Sequence, residues 1–530
     1  MLLRRWSKAA AGEGQVVLLS GEPGIGKSRL TAALLERLTT EPHTRLRYFC
    51  SPQHTDSALY PIITQMERAA GFAHDDTTHA KLDKLDAPLS QSFTPPQDRA
   101  LFAELLSLQN DGRYPKLDLT PQQRRQRTFE ALTTQIVSLA EQRPVLMIFE
   151  DVHWIDPTSL EALGRGIDRI KSVGVLLIIT HRPEFEPPWL GRPYVTALSL
   201  NRLGKREIAA MIDLLAGNHA LPQTMRQDII ERTDGLPLFV EEMTRAVLEA
   251  KSEGEALKTA AAVPSPALTV PASLHASLMA RLDRLGSAKE VAQIGAAIGR
   301  EFSHALLAAV VGKPEAELRT ELDRLITAGL LFWQGVPPHA NYLFKHALVR
   351  DAAYSTLLRE PRRVLHARIA ETLESQFVEI AENQPELLAR HYTEAGLIEK
   401  AAHLWGNAGQ RSLTRSALVE GIDQITRALA QIDSLPATPA LRREQINLQV
   451  ALIAPFYHVK GAAAPETKAA ADQARLLIEK AEAIGESPED PLLLFSVLYG
   501  FWVVNLVAFN GPTVRELATQ SWRLPRSNSP

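Results

Sequence analysis

The first two hundred residues alternate short apolar runs with stretches in which apolar positions recur at helical spacing. Residues 15–21 (QVVLLSG), 45–51 (RLRYFCS), 145–151 (VLMIFED) and 173–180 (VGVLLIIT) are apolar or β-branched runs, which fits strands covered on both faces of a parallel sheet. Residues 194–200 (YVTALSL) predict a fifth strand. Strands that alternate with helices define an α/β layer fold, whose ligands bind beyond the carboxyl ends of the strands. The polar, proline-punctuated stretch from about residue 75 to 123 predicts helices plus an insertion.

From Asn201 onward the strand signal fades, and residues 203–216 and 225–250 carry helical spacing. Residues 251–273 (KSEGEALKTAAAVPSPALTVPAS) lose that periodicity, gain three prolines and read as a linker. A mainly helical unit follows from about Leu274 to Glu360, with a strand pair expected at GLLFWQG and NYLFKH. Helices followed by a hairpin are the outline of a winged helix. Beyond Pro361 nearly everything is helical. Trp405, Ala408, Gly409 and Ser412 occupy the places of the W-x2-L-G-x2-Y element of a tetratricopeptide repeat (TPR), and Gly421, Ile425, Ala428 and Pro436 follow near the expected offsets. The match is partial, because small residues replace a leucine and a tyrosine. Each helix pair of a solenoid needs neighbours over its apolar face, so several pairs should fill the chain from Pro385.

The expected fold class is therefore multidomain, α/β plus all-α. A P-loop core with helices on both faces of a parallel sheet spans 1–200, and a helical lid with a Pro/Ala linker spans 201–262. A winged-helix-like unit covers 263–384, and a TPR-like α-solenoid, read as truncated, covers 385–530. At 530 residues, 45% apolar and 22% charged, the chain has the make-up of a globular protein of several domains. A net charge of −3 gives no general pull toward nucleic acid, which is not expected as a partner. The single cysteine, Cys50, excludes an internal disulfide and suits a reducing cytosol. The apolar segment 492–509 is near the length of a membrane span. Ser496, Gly500 and Asn505 interrupt it, so a buried repeat helix is the favoured reading over a span. The expected location is cytoplasmic, with no membrane.

The strongest chemical signal is GEPGIGKS: Gly21, Glu22, Pro23, Gly24, Ile25, Gly26, Lys27 and Ser28. It satisfies G-x-x-x-x-G-K-[ST] between an apolar strand and a helical pattern. Glycines let backbone N–H groups turn in around phosphates, and the helix N-terminus adds favourable partial charge. In that pattern Lys27 reaches the β- and γ-phosphates and the Ser28 hydroxyl sits on Mg2+. A second acidic motif should end a buried strand, and Glu150 and Asp151 do so: one carboxylate serves the Mg2+ shell while its neighbour orients or deprotonates water. The usual order is Asp first. With Glu150 first and Asp151 in the water-activating place, slow hydrolysis is expected. Thr180 and Arg182 in THRPEF stand at the same edge, where a polar residue can sense the γ-phosphate and an arginine can neutralise it. An ordinary surface arginine is the competing reading of Arg182. No His, Cys or carboxylate spacing resembles a metal cluster or a nucleophilic triad.

Together GQVVLLSGEPGIGKSRL, YFCSPQHTDSALYPII, FEDVHWIDPTSLE, THRPEF and TDGLPLFVEEMTRAVLE resemble the origin-recognition-like AAA ATPase module of bacterial STAND signalling proteins. The form is the one found with class III adenylate or guanylate cyclase domains and tetratricopeptide repeats. IGREF, YLFKHALVRDAAYSTLL and ARHYTEAG continue the resemblance. It implies a slow ATP-dependent switch, closed with ADP and opened by ATP exchange for oligomerisation or output, with a protein partner or ligand on the repeats. Pro237 in GLPL would pack on adenine, and His346 in FKHAL would sense the ADP phosphate, although a packed core histidine is an equal reading. The G-R-x-x-E box that opens such modules is missing before the first strand, and so is a cyclase domain, so no cyclase activity is expected from this chain. The alternative class is a DNA-binding transcription or replication regulator, for which Arg359, Arg362, Arg363 and Arg368 offer a local basic patch.

Overall fold

The computed structural model describes residues 1–73, 76–92, 94–217, 221–260, 273–486, 491–507 and 511–522. Five strands, β1 (Gln15–Ser20), β2 (Thr44–Phe49), β3 (Val145–Glu150), β4 (Val175–His181) and β5 (Val195–Ser199), form one sheet in the order β2-β3-β4-β1-β5. All neighbours are parallel, so every carboxyl end lies on one edge, where Ser20 pairs with His181 and Phe49 with Glu150. All five expected strands are present.

Alternate residues of these strands feed two cores, which is why the runs are apolar throughout. Val17, Leu19, Leu146, Ile148, Leu176 and Ile178 pack against helices Leu2–Ala10 and Lys27–Arg37 through Trp6, Ala9 and Leu34. Val16, Leu18, Met147, Phe149, Leu177 and Ile179 face helices Tyr60–Ala70, Pro121–Gln142 and Pro157–Ile170. The stretch expected to hold helices plus an insertion contains helices Thr78–Gln91 and Pro96–Leu105, with residues 74, 75 and 93 outside the described residues.

Helices Lys205–Ala216, Gln223–Arg232 and Pro237–Ala260 follow. The last runs through the first ten residues of the segment read as a linker. KSEGEALKTA is rich in residues of high helix propensity, and the three prolines, at 264, 266 and 271, all come later, outside the described residues.

The next unit carries helices Leu274–Arg284, Ala288–Ile298, His304–Val311 and Glu315–Thr327 with three short strands, β6 (Glu301–Ser303), β7 (Leu331–Gln334) and β8 (Asn341–Phe344). They form an antiparallel sheet ordered β6-β8-β7. The expected hairpin is β7–β8. Strand β6 escapes sequence reading because three residues are too few to show a period.

Helices then run from Ala347–Ser355 to Gly511–Trp522, and one continuous hydrophobic core extends from Leu278 to Phe501. Within it, helices Ile398–Thr414 and Leu418–Ile432 approach closely at Gly409 and Gly421, where a Cβ on Gly409 would lie 2.4 Å from Ile425 Cγ1. The apolar segment 492–509 falls largely in helix Pro491–Val507, which buries Val497 and Phe501 and brings Gly500 against Ile453. Among the described residues no helix is long and apolar enough to cross a membrane. Two arginines of the basic patch are engaged within the fold: Arg363 Nε donates to the Ala395 carbonyl (3.3 Å) and Arg362 lies over the Tyr354 ring.

Candidate nucleotide site

Residues Gly21–Gly26 turn the chain from β1 into helix Lys27–Arg37. Gly24 and Gly26 have φ of 80° and 103°, a region that side chains disfavour. A Cβ on Gly26 would meet nothing within 4 Å, so the loop leaves a cradle open at that point, while Gly24 is closed from behind by Leu238. Ile25 is buried, and Pro23 stands half-buried between the two turns. Lys27 Nζ donates to the carbonyls of Gly21 (2.6 Å) and Glu22 (3.1 Å), and burial holds its amine below the usual lysine range. The lysine thereby braces the loop that its own helix follows.

At the end of β3, Glu150 is almost fully buried. Its Oε2 accepts from Ser28 Oγ at 3.0 Å, and its Oε1 receives Arg47 through Nε (2.6 Å) and Nη2 (2.5 Å). The loop hydroxyl and the strand-end carboxylate therefore meet, as a shared Mg2+ shell requires. Asp151 adopts left-handed geometry (φ 59°) and donates its N–H to Thr180 Oγ1 (3.0 Å). That bond ties the ends of β3 and β4 together. The Asp151 carboxylate meets Arg300 Nη1 at 2.5 Å, and its charge bears on Lys27 and His153.

Arg182 lies over the Trp154 ring (4.8 Å) and 3.9 Å from Glu184, and its charge bears on both Lys27 and His153. His153 is held down to about 4, chiefly by burial, and neither ring nitrogen has a partner. His181 Nδ1 contacts the Arg182 carbonyl at 2.8 Å.

The segment after β5 closes on the loop. Leu238 N–H donates to Gly24 O (3.1 Å), and Arg202 forks onto Glu22 through Nε (3.1 Å) and Nη2 (2.7 Å) while also pairing with Asp234. Pro237, which opens helix Pro237–Ala260, is thus held beside the loop. His346 precedes helix Ala347–Ser355. Its Nε2 is buried without a partner, and its charged neighbours are Lys345, Glu241, Arg300 and Arg245. Burial, with Lys345 next, pushes it down to about 4.

Sequence reading missed Arg47, Arg202 and Arg300. Arg47 and Arg202 have no local pattern, Arg300 lies in IGREF without a role that the motif itself discloses, and only the fold brings the three to Glu150, Glu22 and Asp151. The residues present fit a nucleoside triphosphate with Mg2+: an open glycine cradle, a buried lysine, a hydroxyl–carboxylate pair and unpartnered His153 nitrogens near Lys27.

A glycine-cradle loop on an all-parallel β2-β3-β4-β1-β5 sheet defines a P-loop nucleotide-binding core. Residues 1–179 match the family model described as an AAA ATPase domain. An uncharacterised protein of Rhizobium meliloti (strain 1021) is 31% identical over 433 residues, which is 80% of this chain and 41% of that protein. The chain thus spans less than half the length of this curated relative. Among solved structures, a signal transduction ATPase with numerous domains (STAND) carrying a tetratricopeptide repeat sensor, from Pyrococcus horikoshii, is 14% identical with a TM-score of 0.41, covering 98% of this chain and 69% of that one. RuvB of Thermotoga maritima is 15% identical (TM-score 0.28; 67% and 92% covered), and a Drosophila origin recognition complex bound to DNA is 14% identical (TM-score 0.25; 67% and 93% covered).

Proposed function

We propose that this chain is an ATP-binding, slowly hydrolysing signal-transduction switch of the STAND type, the regulatory ATPase–TPR part of a cyclase-linked protein. The observation that carries the reading is the double tether of the lid to the phosphate loop. Leu238 N–H on Gly24 O and Arg202 on Glu22 connect the segment after β5 to the loop, so a nucleotide held by Gly21–Ser28 would bear on that segment.

In this reading Lys27 neutralises the β- and γ-phosphates, and Ser28 with Glu150 holds the Mg2+ shell. Thr180 and Arg182 report the terminal phosphate, Pro237 packs on adenine and His346 responds to ADP. Bound Mg2+ supplies charge neutralisation across the phosphates. Asp151 is the group that orients water, and Glu150 ahead of it is an inverted order that supports slow turnover. Related P-loop switches turn over at roughly 10⁻⁴–10⁻² s⁻¹, a rate that suits a timer. Residues 263–384 act as a winged helix and 385–530 as TPR-like repeats that receive a protein partner or ligand in the cytoplasm, with ATP favouring a homo-oligomer. The test is titration with a fluorescent ATP analogue. Saturable binding should be present in the wild-type chain and lost in Lys27→Ala, and wild-type affinity in that variant would refute the reading.

A further inference from the structure

Each carboxylate of the Glu150–Asp151 pair has its own arginine, and the two arginines come from different parts of the molecule. Arg47, one strand away from Glu150, belongs to the sheet itself. Arg300 comes from the turn between helix Ala288–Ile298 and β6, 149 residues beyond Asp151, and its carbonyl is fixed by Phe344 N–H at 3.0 Å. Its guanidinium reaches over the end of β2, 5.9 Å from the Phe49 ring centre, and takes Asp151 Oδ2 at 2.5 Å. Both side chains are largely buried, so water competes weakly for the pair. Arg300 Nε is buried without a partner, so the guanidinium is aimed at Asp151 and not spread over several acceptors.

We propose that Arg300 is a positioning residue that withholds Asp151 from hydrolysis, so that the unit built around β6–β8 sets the turnover of the core through one ion pair. This inference rests on the ATPase reading above. In hydrolysis the water oxygen bonds to the terminal phosphorus as the bond from that phosphorus to the bridging oxygen breaks, and ADP leaves with that electron pair. One water proton stays on the new phosphate, and the other passes through the Asp151 carboxylate to solvent. Asp151 can take that proton only with an oxygen turned to the water. With its backbone N–H fixed on Thr180 and Oδ2 engaged by Arg300, the carboxylate is tied to the unit that carries Arg300 and is not free to turn to the water. Displacing the unit that carries Arg300 frees the carboxylate without moving the strand that presents it.

The test is steady-state ATP hydrolysis by the full chain with Mg2+. It compares wild type, Arg300→Lys, which keeps the charge without the fork, Arg300→Gln, which keeps polarity without the charge, and each combined with Asp151→Asn. The expected order of kcat is wild type, then Arg300→Lys, then Arg300→Gln, the last raised about five-fold or more with KM within about two-fold. In the Asp151→Asn background all three should be equally slow. A fall or no change in kcat for Arg300→Gln, or the same rise without Asp151, overturns the proposal. If Arg300→Gln does not fold, Arg300→Lys decides by the same rule: a higher kcat supports the proposal and an unchanged or lower one overturns it. Wild-type protein that neither binds nor hydrolyses ATP refutes the ATPase reading, whereas binding and turnover without the expected order refute only the role of Arg300.

Discussion

Arg390 donates from Nη2 to Asp56 Oδ1 at 2.8 Å, joining the loop after β2 to helix Pro385–Ala395, 334 residues further along the chain. Arg427 takes the other carboxylate oxygen at 2.9 Å, and Gln424 Nε2 takes the Asp56 carbonyl at 2.7 Å. Arg390 also donates to the Pro52 carbonyl. The loop that leaves the sheet beside Glu150 is thus gripped by helices of the region read as repeats. Breaking a buried charge pair costs about 3–5 kcal/mol because the surviving charge is stranded. Arg427 keeps 40% of its side chain in water, so Asp56→Ala should cost less, about 2–3 kcal/mol. Urea denaturation checks the value. A cycle with Arg390→Ala should show strong non-additivity, and simple addition of the two losses would mean that the pair contributes nothing as a pair.

A second contact across the same boundary should make stability depend on pH. Asp156 is fully buried, and its Oδ1 accepts from Leu59 N–H (2.9 Å) and Ser159 N–H (2.7 Å), while Oδ2 has no partner. Glu420, whose Oε1 accepts from Thr158 N–H at 2.8 Å, brings a second carboxyl close by. Burial first and the Glu420 charge second push Asp156 from the ordinary 3.8 up to about 7. The folded chain therefore keeps this proton where the unfolded chain loses it. The contribution is fully present below about pH 4, falls as pH rises through about 7 and is flat above. At about 1.4 kcal/mol per unit the loss is on the order of 4–5 kcal/mol. Across pH 5 to 7 the melting temperature of Asp156→Asn should rise relative to that of the wild type. Equal slopes in both proteins would exclude Asp156 as the source.

The buried histidine pair acts in the opposite direction. His366 Nδ1 lies 2.8 Å from His391 Nδ1, and Tyr354 OH lies 2.8 Å from His366 Nε2. Burial, then Arg362 and Arg350, holds His366 down to about 4 from 6.5. This contribution is present above pH 6.5 and is lost as pH falls toward 4, because the unfolded chain takes up the proton first. His366→Gln should therefore shrink the loss of stability between pH 6.5 and 4.5, read from the same melting series. An undiminished acid loss would place its origin elsewhere.

The parts legible in the sequence are those encoded locally. Both faces of β1, β3 and β4 are covered, so the strands are continuous apolar runs, and a phosphate loop is recognisable because its glycines and lysine sit at fixed offsets. In GLPL the resemblance points to Pro237, and the contact with the phosphate loop is made by the last residue of that motif, Leu238, whose N–H donates to Gly24 O. What stayed hidden are partners chosen by the fold. Arg202 is 180 residues from Glu22, Arg300 is 149 from Asp151 and Arg390 is 334 from Asp56. An arginine's character does not change with the carboxylate it will meet, so neither period nor spacing marks it. Helix Pro237–Ala260 runs past its expected end for a local reason: the amphipathic pattern stops at about residue 250, but helix propensity persists through KSEGEALKTA.

The lid tether can be tested at Gly235. Its φ is +73°, and a Cβ there would lie 2.4 Å from the Leu203 carbonyl oxygen, which belongs to backbone and cannot swing aside. The same glycine accepts the Leu203 N–H at 2.8 Å. Gly235→Ala should cost about 2–4 kcal/mol and pull Leu238 off Gly24. ATP-analogue affinity should fall about ten-fold even at temperatures where the variant is folded. Wild-type affinity in a destabilised variant would show that the lid does not shape the loop.

Ser28 and Glu150 provide the sharpest test of the metal role. The Ser28 hydroxyl donates to Glu150 Oε2 at 3.0 Å, and Arg47 holds the other carboxylate oxygen at 2.6 Å. In the proposed reading Ser28 and Glu150 would hold Mg2+ together with phosphate, so a chain lacking the hydroxyl should still bind the phosphates through Lys27 and the backbone. Wild-type affinity for an ATP analogue should tighten about ten-fold or more when EDTA is replaced by Mg2+, and Ser28→Ala should keep the EDTA affinity but gain less than about three-fold from the metal. A variant that tightens as much as the wild type would mean that the hydroxyl serves only to hold Glu150. A variant that loses affinity equally in EDTA would mean that it serves to shape the loop.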